Sequence, residues 1–444
     1  MSGSIPRPGS PYRPKQERPS HIPGRVIVRF KDGSVRAPAM ALQAREISAS
    51  TATGRLADVV RAPFQYLVDN AGLSDVRALF PDAEGLRASA RRGPMALMES
   101  VSNAPVPKLS GIVIADIDPK RAQHAIKALK ASSAVEFAEL APTRWLLARA
   151  NAKQRADNVQ WSLKAIGWFD ANRPDASKTY VGVLDTGVDR NHPALRGRVA
   201  AYRTNGFSTK DLIGHGTHVC GIIAAKDNPK VGMRGITDAK LKVWKIFPDT
   251  PDSDGDFYVD VEVYLRSLGE AISANVGVIN LSIGGSASSK AEAVLFQQLR
   301  AADVVAIAAM GNEFQDGNPV EYPAAYKGVS GIGAVDVNLR RARFSNTGRH
   351  IAVMAPGVGI ISTVPTAKSP FRDETDYATW DGTSMASPHV AAAVNLLLAK
   401  FPGLPAATAV SRLKSSARKL SGMGGKSYTR EYGFGLVNLV KLLK

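Results

Sequence analysis

Cysteine is almost missing: Cys220 is the only one in 444 residues. That excludes a disulfide framework and a cysteine-built zinc cluster. Long apolar runs are missing too. The longest, Val304 to Met310, falls far short of the roughly 18 residues that a membrane helix needs, so no membrane span is expected. Residues 1–23 contain no apolar h-region of the kind a Sec signal peptide carries. They hold six prolines and four basic residues instead, the composition of a solvated, disordered Pro-rich tail. With the lone cysteine, this favours a cytoplasmic location over leaderless or non-Sec export. Acidic residues are the scarcer charge, 39 against 57 basic ones, which leaves a net charge of +18. Such a balance invites anionic partners. No basic patch is interleaved with aromatic residues, however, so the charge reads as solubility and nucleic acid is not an expected partner. Apolar residues are plentiful at 44%, enough for a large core, and the length suits two or three domains.

Along the chain, Val26, Val28 and Phe30 alternate with Ile27 and Arg29 up to an Asp32-Gly33 turn, as a strand does. Residues 38–100 are rich in Ala and Arg, with helical stretches. Gly111 to Ile117 reads as a strand, and Asp118-Pro119 as a helix N-cap with proline at the first helical position. Ala122, Ala125, Ile126 and Leu129 then share one helical face, and Val135 to Glu139 returns as a strand. This β-α-β pattern predicts a small α+β domain over 24–148, followed by a polar linker over 149–157. From residue 158 to 444 strands and amphipathic helices alternate. The strands are Tyr180–Leu184, Lys242–Ile246, Val278–Ile283, Val304–Ala309 and Gly331–Val335, and they are continuously apolar. That rhythm predicts an α/β domain with a mostly parallel sheet covered on both faces, whose chemistry lies at the carboxyl ends of the strands.

Three segments put reactive groups there. The strand Val181 to Leu184 ends in Asp185, a buried carboxylate that needs a partner. Gly214-His215-Gly216-Thr217-His218 opens an apolar helix. Asp381-Gly382-Thr383-Ser384-Met385 sets Ser384 at a helix N-terminus, with its backbone N–H available to an anion. A hydroxyl, an imidazole and a carboxylate are the parts of nucleophilic acyl transfer, and Gly311-Asn312, after another strand, offers a side-chain amide for the oxyanion. Ser384 is the expected nucleophile, His215 the base, Asp185 its orienter and Asn312 the oxyanion donor.

Val183 to Gly187, His215 to Val219 and Gly382 to His389 resemble the three signature segments of the subtilisin-like serine proteases (subtilases, peptidase S8), in that family's order. Ser282-Ile283-Gly284-Gly285 and Gly311-Asn312 resemble its substrate-binding segment and oxyanion asparagine. The resemblance spans about residues 156–441 and departs only mildly, at Cys220 and Ala392. It implies a three-layer α/β/α subtilisin-like domain and a serine endopeptidase acting on proteins or peptides, with no cofactor required for chemistry. By the same analogy the first domain resembles a ferredoxin-like propeptide, an intramolecular inhibitor that is cut off, with 149–157 as linker and processing region and a mature start to be sought between Trp145 and Asp157. In the family, the residue before Tyr322-Pro323 floors the pocket for P1, the residue whose carbonyl is attacked. Here it is Glu321, with Glu313 next to Asn312, and the loop 249–260 adds further carboxylates. This predicts a preference for basic P1 residues, with Arg144, Arg149, Lys153 and Arg155 near the junction. Asp252, Asp254 and Asp256 have a calcium-like spacing but lack the full twelve-residue loop, so a structural calcium is only weakly indicated. His218 and His389 read as structural, and the basic run Arg412 to Lys419 as a solvated helix face. The alternative is a catalytically silent binding protein acting through its basic surface. Retention of Asp185, His215, Asn312 and Ser384 argues against it.

Overall fold

A computed structural model of the chain describes residues 18–31, 66–67, 69–80, 109, 111–147, 149–150, 160–252 and 255–444. The helical stretches expected within 38–65 and 81–100, residues 1–17 of the tail, Asp254 and the linker 151–157 lie outside the described residues.

The first unit is a four-stranded antiparallel sheet of β1 (His21–Phe30), β2 (Asp75–Ala78), β3 (Ile112–Asp116) and β4 (Val135–Pro142), in the order β2-β3-β1-β4. Both faces of β1 are covered, which is why its alternation does not separate apolar from polar. Val26, Val28 and Phe30 pack with Ala125 and Leu129 of the Ala122–Ala131 helix. Ile27, with Ile112, Ile114 and Phe137, faces Tyr264, Leu265 and Leu268 of the larger unit. The strand starts earlier than the sequence pattern suggests. Arg18 lies over the Trp145 ring and pairs with Asp256 at 3.1 Å, and Thr143 N donates to Ser20 O at 3.0 Å. The expected tail over 1–23 is therefore too long: polar contacts the composition could not reveal anchor the chain from Arg18.

The larger unit is built on a seven-stranded, wholly parallel sheet, as expected. It comprises β7 (Tyr180–Asp185), β8 (Val199–Arg203), β9 (Lys240–Lys245), β10 (Val278–Leu281), β12 (Val305–Ala309), β13 (Val329–Val335) and β14 (Ile351–Pro356), in the order β14-β13-β12-β10-β7-β9-β8. Helices cover both faces, giving the subtilisin-like α/β fold. The edge strands β8 and β14 were not legible. Partly exposed, β8 reads Val-Ala-Ala-Tyr-Arg, with only one β-branched residue to mark it as a strand. The Thr383–Lys400 helix runs through the core, with every residue from Thr383 to Leu397 buried. It therefore carries no amphipathic stripe.

Short strands complete the frame. β5 (Trp145–Leu146) pairs antiparallel with β11 (Ile283–Gly284), and β6 (Arg149–Ala150) pairs with β16 (Tyr377–Asp381), which in turn pairs with β15 (Ile360–Thr363). Residues 149–150 of the expected linker are thus hydrogen-bonded to the larger unit. Among the described residues, no helix is long and apolar enough to cross a membrane.

Candidate active site

Three neighbouring strands at the centre of the sheet, β7, β10 and β12, aim their carboxyl ends at one spot. β7 ends in Asp185, which is wholly buried. A carboxylate there must be compensated. Its Oδ1 lies 2.7 Å from His215 Nδ1 and accepts a second hydrogen bond from Thr186 N at 2.7 Å. His215 opens the His215–Ala224 helix. Asp211 organises that turn by accepting from Gly214 N at 2.8 Å, Thr217 N at 2.9 Å and Thr186 Oγ1 at 2.8 Å. With Nδ1 turned to a carboxylate, His215 Nε2 is left as the basic nitrogen, and it has no hydrogen-bond partner among the described residues.

Ser384 lies in the first turn of the Thr383–Lys400 helix. Its Oγ donates to Ser282 O at 2.9 Å, so the hydroxyl is turned to the end of β10 rather than to the imidazole. Ser282 is braced in turn, its Oγ donating to Ser384 O at 2.9 Å. Beyond β12, Gly311 takes φ +109°, and a Cβ there would sit 2.3 Å from Asn346 Nδ2. Only glycine suits that bend. Asn312 follows, with its Oδ1 accepting from both Thr383 N and Thr383 Oγ1 at 2.9 Å. Those two bonds fix which end of the amide faces the cleft.

The cleft holds the chain's own segment. Leu146 and Trp145 pair with Ile283 and Gly284 on one side. On the other, Trp145 bridges Tyr258, and Val259 N donates to Arg144 O at 2.8 Å. The next residue, Leu147, is buried, and its carbonyl oxygen accepts from Asn312 Nδ2 at 2.6 Å and from Ser384 N at 3.4 Å. Downstream, Arg149 and Ala150 pair with Asp381 and Trp380. The segment crosses the site in short strands on either side, with the Leu147 carbonyl beside Ser384 N.

This arrangement agrees with what the sequence matches. The Subtilase family (peptidase S8) model matches residues 176–435. The chain belongs to the subtilase family. Subtilisin DY of Bacillus licheniformis is 37% identical over 288 residues, covering 64% of this chain and 94% of the relative. Subtilisin E of Bacillus subtilis is 37% identical over 270 residues, covering 59% of this chain and 65% of the relative. Among solved structures, fervidolysin of Fervidobacterium pennivorans, described as a keratinolytic enzyme related to subtilisin, superposes with a TM-score of 0.67 at 25% identity. The match covers 97% of this chain and 62% of fervidolysin. Subtilases of this kind are serine endopeptidases, and the chain is a hydrolase of that class. The comparison also corrects the expected cytoplasmic location: the subtilisins it matches are secreted, which points away from the cytoplasm.

Glu321 is wholly buried beside the cleft: a Cβ on Gly284 would meet both Glu321 Oε2 and Leu147 Cδ1. The residue whose carbonyl oxygen meets Asn312 Nδ2 and Ser384 N is Leu147, an apolar one. The basic side chain lies three residues upstream and meets a different carboxylate. Arg144 Nε donates to Glu292 Oε1 at 3.0 Å, its Nη2 donates to Glu292 Oε2 and to Ala287 O at 2.9 Å, and both residues are buried. Glu313 turns back on its own loop, its Oε2 accepting from Asn312 N at 2.6 Å. Of the three aspartates with calcium-like spacing, Asp254 lies outside the described residues. Asp256 pairs with Arg18, and Asp252 Oδ1 accepts from Asp256 N at 2.8 Å. Among the described residues, no group of three or more potential ligands is arranged for a metal.

The remaining histidines are packed away. His218 Nε2 contacts Ile360 O at 3.1 Å and the ring stacks on Trp380. Burial, reinforced by the nearby His215, lowers its pKa to about 3. His389 is held by Met385 O at 2.7 Å, and burial lowers its pKa to about 4. Cys220 is buried, and desolvation followed by the Asp185 and Asp211 charges raises its thiol pKa well above normal.

Proposed function

We propose that the protein is a self-processing zymogen in which Asp185, His215 and Ser384 cut the Leu147–Ala148 bond and then hydrolyse other proteins or peptides. The observation that carries this reading is the Leu147 carbonyl oxygen lying between Asn312 Nδ2 and Ser384 N. That is where donors must stand to stabilise a developing oxyanion. Rotation of the Ser384 side chain from Ser282 O toward His215 Nε2 lets the imidazole take the hydroxyl proton. Oγ then bonds to the Leu147 carbonyl carbon, and Asp185 supports the imidazolium. His215 returns the proton to the Ala148 nitrogen as the C–N bond breaks, and water hydrolyses the acyl-enzyme by the same proton path. The product's new Leu147 carboxylate remains in the cleft while the first domain stays docked, so that domain inhibits its own enzyme. An apolar P1 residue, as in Leu147, is the preference this reading gives. Nothing among the described residues favours a silent binding protein.

N-terminal sequencing and active-site labelling test it. The purified protein is expected to begin at Ala148 and to take up a fluorophosphonate on Ser384, while Ser384→Ala stays full length and unlabelled. Full-length wild type that never labels, or a start elsewhere, removes the reading.

A further inference from the structure

We infer that Glu292 makes this protease select arginine at P4, four residues before the cut, and that the enzyme's preference for basic sequences is expressed there and not at P1. The inference rests on the proposed cleavage at Leu147–Ala148, which makes Arg144 the P4 residue.

Glu292 sits in the first turn of the Lys290–Ala301 helix and is wholly buried. A carboxylate in such a place is unfavourable unless paired, and an ion pair stripped of one partner leaves an uncompensated charge. The Arg144 guanidinium meets it as a fork, Nε on one oxygen and Nη2 on the other. That planar two-point match is one a lysine cannot reproduce. Two more N–H groups are used: Nη2 donates to Ala287 O at 2.9 Å and Nη1 to Thr143 O at 2.7 Å. Tyr326 Oη donates to Glu292 Oε2 at 2.6 Å and itself accepts from Ser289 N at 2.5 Å, which holds the carboxylate in register for the fork. Gly285 completes the pocket, since a Cβ there would come within 2.3 Å of Thr143 O and 2.8 Å of Arg144 Nη1.

All of these groups except Arg144 and Thr143 belong to the enzyme and remain when the first domain leaves. The vacated pocket then presents a buried carboxylate, a tyrosine hydroxyl and a carbonyl. An apolar P4 side chain would cover that carboxylate without pairing it, and an acidic one would repel it. Glu321 lies beside Leu147, on the P1 side of the strand.

The test uses the processed enzyme and internally quenched peptides carrying residues 142–151, with P4 as Arg, Lys, Ala, Leu or Glu and all else constant. Charge-assisted hydrogen bonds of this kind predict a kcat/KM about 10- to 100-fold higher for Arg than for Ala, with Lys between and Glu lowest. Glu292→Leu is expected to invert the order, taking Leu over Arg. Should that variant fail to fold, Glu292→Gln and the wild-type series still decide. In the full chain, Arg144→Leu should slow self-cleavage by a similar factor and Arg144→Lys by less. Equal cleavage of the Arg and Ala peptides by wild type overturns the P4 inference while leaving the endopeptidase reading intact. Failure to cleave any peptide, with no fluorophosphonate uptake, removes both.

Discussion

Asn312 illustrates how much one residue's surroundings decide. Thr383 holds its carbonyl end, so its NH2 end can only face the cleft. Asn312→Ala is expected to lower kcat by roughly 10²–10³ with little change in KM, the magnitude known for the equivalent donor in a subtilisin. A steady-state comparison with wild type checks it, and an unchanged kcat sinks the assignment. His218 and His389 govern a separate property. Their folded pKa values, about 3 and about 4, lie below the ordinary imidazole value of 6.5. Between pH 6.5 and about 4 the unfolded chain therefore binds more protons than the folded one, and stability falls as pH falls. The slope approaches about 1.4 kcal/mol per pH unit for each histidine. Urea midpoints of the Ser384→Ala chain at pH 7 and pH 5 measure it, and equal midpoints would contradict the burial argument. At this scale the sequence was most legible where side chains sit in contiguous motifs: Asp185 meets His215, and Asn312 Nδ2 and Ser384 N meet at Leu147 O. Glu292 was hidden because Ser289-Lys290-Ala291-Glu292 has the form of a capping box. Ser289 does cap Glu292 N, at 3.2 Å, but the carboxylate goes to Arg144 instead of back to the cap. Asp211, outside the motif it orders, gave no signal either.

Elements show the same division. Strands buried on both faces, such as β7 and β12, announce themselves as apolar runs, whereas β5, β6 and β11 exist only because two distant segments meet. The Lys290–Ala301 helix borrows part of its N-terminal capping from the other unit. Glu139 of β4 accepts from Lys290 N at 3.0 Å, from Ala291 N at 3.2 Å and from Ser289 Oγ at 2.8 Å. Its charge also suits the positive end of the helix. Glu139→Ala in the Ser384→Ala chain should cost about 1 kcal/mol and speed hydrogen exchange at the Lys290 and Ala291 amides. Exchange at wild-type rates would show that Ser289 suffices alone.

Across the whole molecule the two units share one apolar cluster, with Phe80, Ile112 and Phe137 on one side and Tyr264, Leu265 and Leu268 on the other. The ion pair Arg77–Glu262, 2.7 Å, sits at the partly exposed rim, where charge contributes little. The cleaved first domain is therefore expected to stay bound in 1 M salt, which screens ions within about 3 Å. Gel filtration at low and high salt checks this: co-elution in both supports apolar docking, and release by salt alone overturns it. The division into a small and a large unit was legible from the change in rhythm near residue 150. Their joining was not, because the face of β1 that meets the larger unit looks the same in sequence as the one that meets its own helix.

The single thiol has a consequence of its own. Cys220 lies in the helix that carries His215, has no exposure and is disfavoured as a thiolate. Alkylating or oxidising reagents can reach it only when that helix parts from the sheet. The molecule thus carries one built-in chemical clock, silent while the catalytic half is intact and started by its opening.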